Sequence, residues 1–173
     1  MARSAAVAAA SLAVFGCRAA TNPAPMAAHG CSARVPSADV SRWQSVEAEG
    51  FTFCVPPDWS ASGRTWSRGS DRVTWGVGET VAKADVPAMV QAANRPAPAC
   101  VSSPAKNVQI HPTAEVIGGH EAQVWRSRYG QGFYTGGHCS TPHFYIVGEA
   151  SDAATADLEM LIVRTARVAS PRS

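Results

Sequence analysis

The stretch from Gly50 to Trp59 places the strongest constraint on how this chain folds. Large apolar side chains stand at every second position of it, namely Phe51, Phe53 and Val55. One face of an extended segment is therefore aromatic and aliphatic, which is typical of a strand with one buried side. A Pro-Pro-Asp turn follows and brings in the tryptophan. The pattern predicts the first core strand of a sheet.

The size and charge of the chain limit the classes of protein to consider. Of its 173 residues, 46% are hydrophobic and 16% are charged, which suits one domain with its own core. The net charge of +2 is dispersed, and no run of Lys or Arg follows one helix or strand, as binding of a phosphate backbone requires. We therefore expect a single domain and no nucleic-acid partner.

The first 17 residues have the pattern of a signal peptide. One positive charge at Arg3 precedes a run of small apolar residues that ends at Cys17. The run is about a dozen residues, shorter than the roughly 20 of a membrane-spanning helix and suited to a signal peptide. Its end, Val14-Phe15-Gly16-Cys17, resembles a bacterial lipobox, which implies that Cys17 is lipidated and becomes the mature N-terminus. The alternative is an ordinary secretory signal cleaved before Pro23; both imply export, to the periplasmic or extracellular side of a bacterial membrane.

Export determines whether the four remaining cysteines are expected to be oxidised. They are Cys31, Cys54, Cys100 and Cys139. In an oxidising compartment an even number predicts two disulfides. Three pairings are possible. We favour Cys31 with Cys54, which would join the N-terminal arm to the first core strand, and Cys100 with Cys139. In a reducing compartment, buried free thiols would be expected instead.

Composition divides the chain into four parts. The signal peptide is followed by residues 18–39, which are rich in Ala, Pro, Ser and Thr and predict a flexible tether. One domain is expected over residues 40–169. Residues 170–173 form a short tail.

Alternating patterns predict most of the sheet. Strands are expected at residues 64–68, 72–78, 122–129 and 144–150, the first two forming a hairpin. The buried side of that hairpin should carry Trp66, Val73, Trp75 and Val77. A glycine-rich connection is expected from Gly130 to Gly137.

Two helices are predicted. A short one should be capped by Asp85 and end before Pro96. A longer one is expected over residues 153–168, capped by Asp152 and stopped by Pro171, because apolar side chains recur at i, i+3 and i+4, with acids early and arginines late. Its stripe consists of Leu158, Leu161, Ile162 and Thr165.

Several of these pieces, in this order, resemble the PsbP-like fold of a photosystem II extrinsic subunit and of small bacterial exported lipoproteins. The matching segments are Gly50 to Trp59, the turn Ile117-Gly118-Gly119-His120-Glu121-Ala122 before a strand, and the strand and helix from Phe144 to Val168. The resemblance implies an α+β fold, an α/β sandwich of an antiparallel sheet with helices packed on its faces. It also implies an accessory or binding role instead of catalysis.

Few residues form patterns that indicate catalysis, metal binding or partner contact. There is no Gly-x-Ser-x-Gly elbow, and no pair of acids is spaced for a common site. His138 and His143, with Cys139 between them, form a cluster of potential metal ligands. Phe133 and Tyr134, in the glycine-rich connection, either contact a partner or fold back over the hairpin.

The leader pattern, together with what the PsbP-like resemblance implies, predicts an exported, lipid-anchored, non-enzymatic accessory or binding protein of the bacterial cell envelope. Its expected partners are the membrane, through the lipid on Cys17, and an envelope protein. No cofactor is expected. The alternative is a metal-binding or enzymatic protein that uses His138 and His143.

Overall fold

The computed structural model describes residues 30–36, 38–93 and 110–169. The strands are β1 (Gln44–Glu47), β2 (Phe51–Val55), β3 (Ser60–Ser62), β4 (Thr65–Arg68), β5 (Asp71–Val77), β6 (Thr113–Ile117), β7 (His120–Tyr129), β8 (Gly132–Ser140), β9 (His143–Ala150) and β10 (Arg167–Val168). The α-helices of the described ranges are α1 (Ala88–Ala93) and α2 (Ala153–Arg164), and a 3₁₀ helix spans Lys83–Asp85. Among the described residues the fold is therefore mostly antiparallel sheet with two α-helices, in line with the α+β class expected from the sequence.

The strands of the described ranges form two sheets. The larger one has seven strands in the order β3-β4-β5-β9-β8-β7-β6, and the smaller one has three in the order β1-β2-β10. All neighbouring strands are antiparallel. The stretch at Gly50 does form a core strand, β2, but it lies at the centre of the small sheet.

The two faces of the large sheet carry separate apolar clusters, as the alternation of strand side chains requires. On β9, Phe144 and Ile146 belong to the main core, which includes β2 and α2. Their neighbours Tyr145 and Val147 point to the opposite face, where they join a smaller aromatic cluster with Val90 of α1. The main core holds most of the buried apolar side chains.

The glycine-rich segment at 130–137 is not a loop, as predicted, but mainly the central strand β8. Its glycines make room for neighbouring side chains. A Cβ at Gly136 would lie 2.7 Å from the Trp125 ring, and one at Gly137 would lie 2.5 Å from a methyl of Val163 on α2. The glycines therefore allow a ring on one face and a helix on the other to approach the backbone closely.

Helix α2 begins where the sequence predicted. The Asp152 side chain accepts a hydrogen bond from the backbone N–H of Thr155 at 2.8 Å. The helix ends at Arg164, short of the predicted residue 168, because Arg167 and Val168 become extended and pair with β2. Its buried side chains are Thr155, Ala156, Glu159, Met160, Ile162 and Val163, which pack towards β8, β9 and β2.

The segment from residue 30 to 36 belongs to the folded domain. It was expected to be part of the tether, but Cys31 and Val35 are buried in it. Arg34 Nη1 donates to the carbonyl of Thr165 at 3.1 Å, 131 residues away in the chain. The composition of this arm is poor in apolar residues, and its packing comes from long-range bonds that local composition does not indicate.

Candidate functional site

The N-terminal arm, β2 and the end of α2 meet at a disulfide. Cys31 and Cys54 are bonded, with their Cα atoms 6.1 Å apart, and both are fully buried. This is one of the two pairings that the sequence favoured. The backbone N–H of Cys54 also donates to the Thr165 hydroxyl at 2.8 Å. The covalent bond and this hydrogen bond fix the arm and the end of α2 to the same strand.

Two arginines complete this arrangement, which we call the arm junction (Cys31, Arg34, Cys54, Thr165 and Arg167). Besides its bond to Thr165, Arg34 donates through Nη2 to the Ser45 hydroxyl at 3.4 Å. Arg167 Nη2 donates to the carbonyl of Arg34 at 2.6 Å. The sequence placed Arg34 in a tether and Arg167 in a helix, so their proximity was not predicted.

A buried carboxyl lies between α2 and the large sheet. Glu159 is fully removed from solvent, and Thr135 Oγ1 on β8 donates to its Oε2 at 2.5 Å. The other carboxyl oxygen, Oε1, has no hydrogen-bond partner among the described residues. Gly148 on β9 creates the space, because a Cβ there would overlap both the carboxyl group and the threonine hydroxyl.

Burial changes the protonation of this carboxyl group. The pKa of Glu159 is raised to about 8, chiefly by desolvation; the nearby charges of Asp71 and Glu149 act in the same direction, while the Thr135 bond and Arg68 oppose the shift. At neutral pH the group is therefore mostly protonated. Sequence reasoning counted this glutamate only among the early acids of α2; the pairing of a strand glycine with it depends on register and could not be predicted from a single sequence.

A second polar contact joins Tyr145 of β9 to Asp85, in the segment that precedes α1. Tyr145 donates to Asp85 Oδ2 at 2.6 Å, and its oxygen accepts the backbone N–H of Ala82 at 3.3 Å. Arg64 lies 3.5 Å from the same carboxylate oxygen. Asp85 was predicted to cap the helix; instead it lies in the 3₁₀ helix and fixes this segment to the face of the sheet.

The histidine cluster does not converge on one point. The rings of His138 and His143 stack with their centroids 6.1 Å apart, but His138 Nε2 lies 3.2 Å from the carbonyl of Gly78. Cys139 faces the other side of β8, where its thiol donates to the carbonyl of Glu121 at 3.3 Å. Within residues 30–36, 38–93 and 110–169, no three His, Cys, Asp or Glu side chains are grouped as metal ligands.

The second predicted disulfide is not confirmed. Cys139 is a buried free thiol, and burial raises its pKa. Cys100 lies outside the described residues, as does Cys17.

The predicted partner-contact residues separate on opposite faces of β8. Tyr134 is 1% exposed and packs against Trp125 and Tyr129 with ring centroids 5.7 and 6.4 Å apart. Its side chain is therefore enclosed by neighbouring aromatic rings in this structure. Phe133 is half-buried, with the guanidinium of Arg126 4.6 Å above its ring.

Comparison with known protein families finds no family that matches this chain, and no curated protein matches it either. Among the described helices, none is long and apolar enough to span a membrane.

Proposed function

We propose that this protein is an exported, lipid-anchored accessory or binding domain of the bacterial cell envelope. The observation that carries the proposal is the Cys31–Cys54 disulfide. Structural disulfides persist in oxidising compartments and are rare in the cytosol. Both cysteines are fully buried, as expected of a structural bridge instead of a reactive pair.

The proposed anchor is a lipid on Cys17. Twelve residues separate it from Gly30, the first residue of the described domain. Even a fully extended chain of that length spans no more than about 45 Å. The arm junction, which begins at Cys31, would therefore lie within about that distance of the anchor.

We further propose that the fold is the PsbP-like α/β sandwich. Three features support it: an antiparallel sheet with apolar clusters on both faces, α2 packed towards β8 and β9, and Val90 of α1 within the cluster of the other face. An experimental structure would test the arrangement, and helices displaced from both faces would contradict it.

A binding role is favoured over catalysis by the position of the polar groups. The carboxyl group with the largest pKa shift towards neutrality, Glu159, is inaccessible to a substrate in this conformation. Asp85 is engaged by Tyr145 and Arg64. Both groups hold segments of the fold together, which suits a rigid domain that presents its surface to a partner.

Mass spectrometry of the mature protein from its native host tests this function. We expect a chain that begins at an acylated Cys17 and contains an oxidised Cys31–Cys54 pair. Cys17→Ala should move the protein from the membrane fraction to the soluble fraction. A mature chain that retains Met1 with reduced Cys31 and Cys54 would contradict the proposal.

A further inference from the structure

Most arginines in the described part of the chain have an acidic partner. Five of the nine have a carboxylate oxygen within 4.0 Å, and these are Arg64, Arg68, Arg72, Arg126 and Arg164. The other four are Arg34, Arg42, Arg128 and Arg167. Of these four, Arg42 and Arg128 are exposed, whereas Arg34 and Arg167 are half-buried and adjacent to each other in the arm junction.

Among the described residues, the environment of this pair supplies polar acceptors but no negative charge. Arg34 donates to two carbonyls and one hydroxyl, those of Gly30, Thr165 and Ser45. Arg167 donates to the carbonyls of Arg164, Ala166 and Arg34. Burial, and then the charge of Arg167, lowers the pKa of Arg34, and burial lowers that of Arg167. Two partly desolvated positive charges are therefore left uncompensated by the described acids.

Each guanidinium retains donors for a further ligand. A guanidinium has five N–H groups, and three bonds are formed by each side chain. Two forks with free donors and a combined charge of +2 match the oxygens of a phosphate group. The carbonyls at the end of α2 reduce this positive field only in part, because a helix C-terminus carries about half a negative charge.

We propose that Arg34 and Arg167 form a binding site for a phosphate group, supplied by an anionic phospholipid headgroup of the membrane that carries the anchor. The length of chain between the anchor and the site favours a lipid over free phosphate. Arg34 lies four residues after Gly30 and bonds to its carbonyl at 3.2 Å, so the pair lies where the domain receives the chain from Cys17. This inference rests on the proposed function for its choice of the membrane.

Flotation of the non-lipidated full chain with vesicles tests the site without the anchor. The Cys17→Ser protein would be mixed with phosphatidylcholine vesicles that either contain or lack phosphatidylglycerol. We expect binding only to the anionic vesicles. Arg167→Gln should weaken it about fivefold, since one arginine near an anionic surface contributes roughly that factor.

Arg128→Gln is the matched control. It removes the same charge from an exposed arginine that also has no carboxylate partner among the described residues. Arg167 lies next to Gly118, in the turn that precedes β7. Arg128 lies near the other end of β7, eight residues beyond His120, which is about 26 Å along the strand. The control therefore lies far from the proposed site. We expect Arg128→Gln to bind within twofold of the parent protein. Equal losses in the two variants would overturn the site, because they would show only an effect of net charge.

Two further measurements separate the alternatives. Circular dichroism tests whether Arg167→Gln is folded. If it is not, Arg167→Lys takes its place, and this variant, which keeps the charge but not the fork, should retain only part of the binding. Thermal denaturation with inorganic phosphate against chloride, at equal ionic strength, tests a free anion. Stabilisation by phosphate without vesicle binding would overturn the lipid assignment.

The outcome is independent of the test of the proposed function. An acylated Cys17 together with no binding of the Cys17→Ser protein to anionic vesicles would refute the phosphate site and leave the anchor. Binding that depends on Arg167, in a protein whose native N-terminus is not acylated, would refute the anchor and leave the site.

Discussion

The hydroxyl of Thr135 on β8 lies 2.5 Å from the carboxyl of Glu159 on α2, and both residues are fully buried. Among the described residues, no cation lies within bonding distance of this carboxyl group. Arg68 acts on it only from a distance and lowers its pKa, whereas the negative charges of Asp71 and Glu149 raise it. Burial therefore favours the protonated carboxyl group, although the hydrogen bond from Thr135 would by itself favour the ionised form.

Glu159 should make stability depend on pH. Its pKa is raised from 4.5 to about 8 on folding, so the folded state holds a proton that the unfolded state has lost between these values. Stability should fall as pH rises through this window, by up to about 5 kcal/mol, and then level off. Chemical denaturation at a series of pH values measures this slope.

Glu159→Gln should remove most of that slope, and the variant should be more stable than the parent protein at pH values near and above 8. Asp157→Asn is the control, since this neighbouring acid of α2 is 71% exposed and should leave the slope unchanged. Equal slopes for the parent protein and Glu159→Gln would show that the carboxyl group does not titrate in this way.

Gly148→Ala should destabilise the protein by about 1–3 kcal/mol, because its Cβ would overlap the carboxyl group of Glu159 and the hydroxyl of Thr135. Thermal and chemical denaturation measure the change. In a double-mutant cycle with Glu159→Ala, the two effects should be less than additive, since the shortened side chain leaves room for the methyl group. Strict additivity would mean that the two residues do not compete for the same space.

Replacing Cys31 and Cys54 together by Ala should cost about 3 kcal/mol of unfolding free energy, the figure expected for a bridge that closes a loop with a sequence separation of 23. Denaturation of the variant, and of the parent protein with and without reductant, provides the measurement. Cys139→Ala is the comparison, because its thiol is free and its effect should not depend on reductant. A parent protein insensitive to reductant under unfolding conditions would argue against the bridge.

Tyr145→Phe should loosen the segment before α1. It removes the donor to Asp85 and the acceptor for Ala82 N–H, at a cost of about 2 kcal/mol because the carboxylate is largely buried. Hydrogen exchange in the peptide from Ala82 to Ala93 should accelerate. Thr74→Val, which removes a hydroxyl pair with Thr65 on the neighbouring strands, is the control, and it should leave that peptide unaffected. Similar exchange in both variants would show that the Tyr145 bond does not hold the segment.

Periodicity predicted the regular elements well where one face is buried. Strands β2, β4, β7 and β9 and the start of α2 at its Asp152 cap lie close to their expected positions. In the hairpin, Trp66, Val73 and Trp75 are buried as expected, but Val77 is 44% exposed. It lies at the last position of β5, where alternation continues but the covering layer does not.

The failures have a common cause in contacts between distant residues. The glycines of β8 resemble those of a loop in sequence, yet they are required by Trp125 and Val163, which approach from opposite faces. The arm around Arg34 has the composition of a tether, yet it is held by Cys54 and Thr165.

The sequence by itself indicated an α+β class, the capped C-terminal helix and a set of cysteines able to form disulfides, with Cys31–Cys54 as one favoured pairing among three, because alternation, capping and cysteine count are properties of short segments or of composition. Only the tertiary structure decided that Glu159 is buried against Thr135 and Gly148, and that Arg34 and Arg167 are neighbours without an acid among the described residues. Both depend on strand register and on how α2 crosses the sheet, which arise from packing over the whole domain and not from any local pattern.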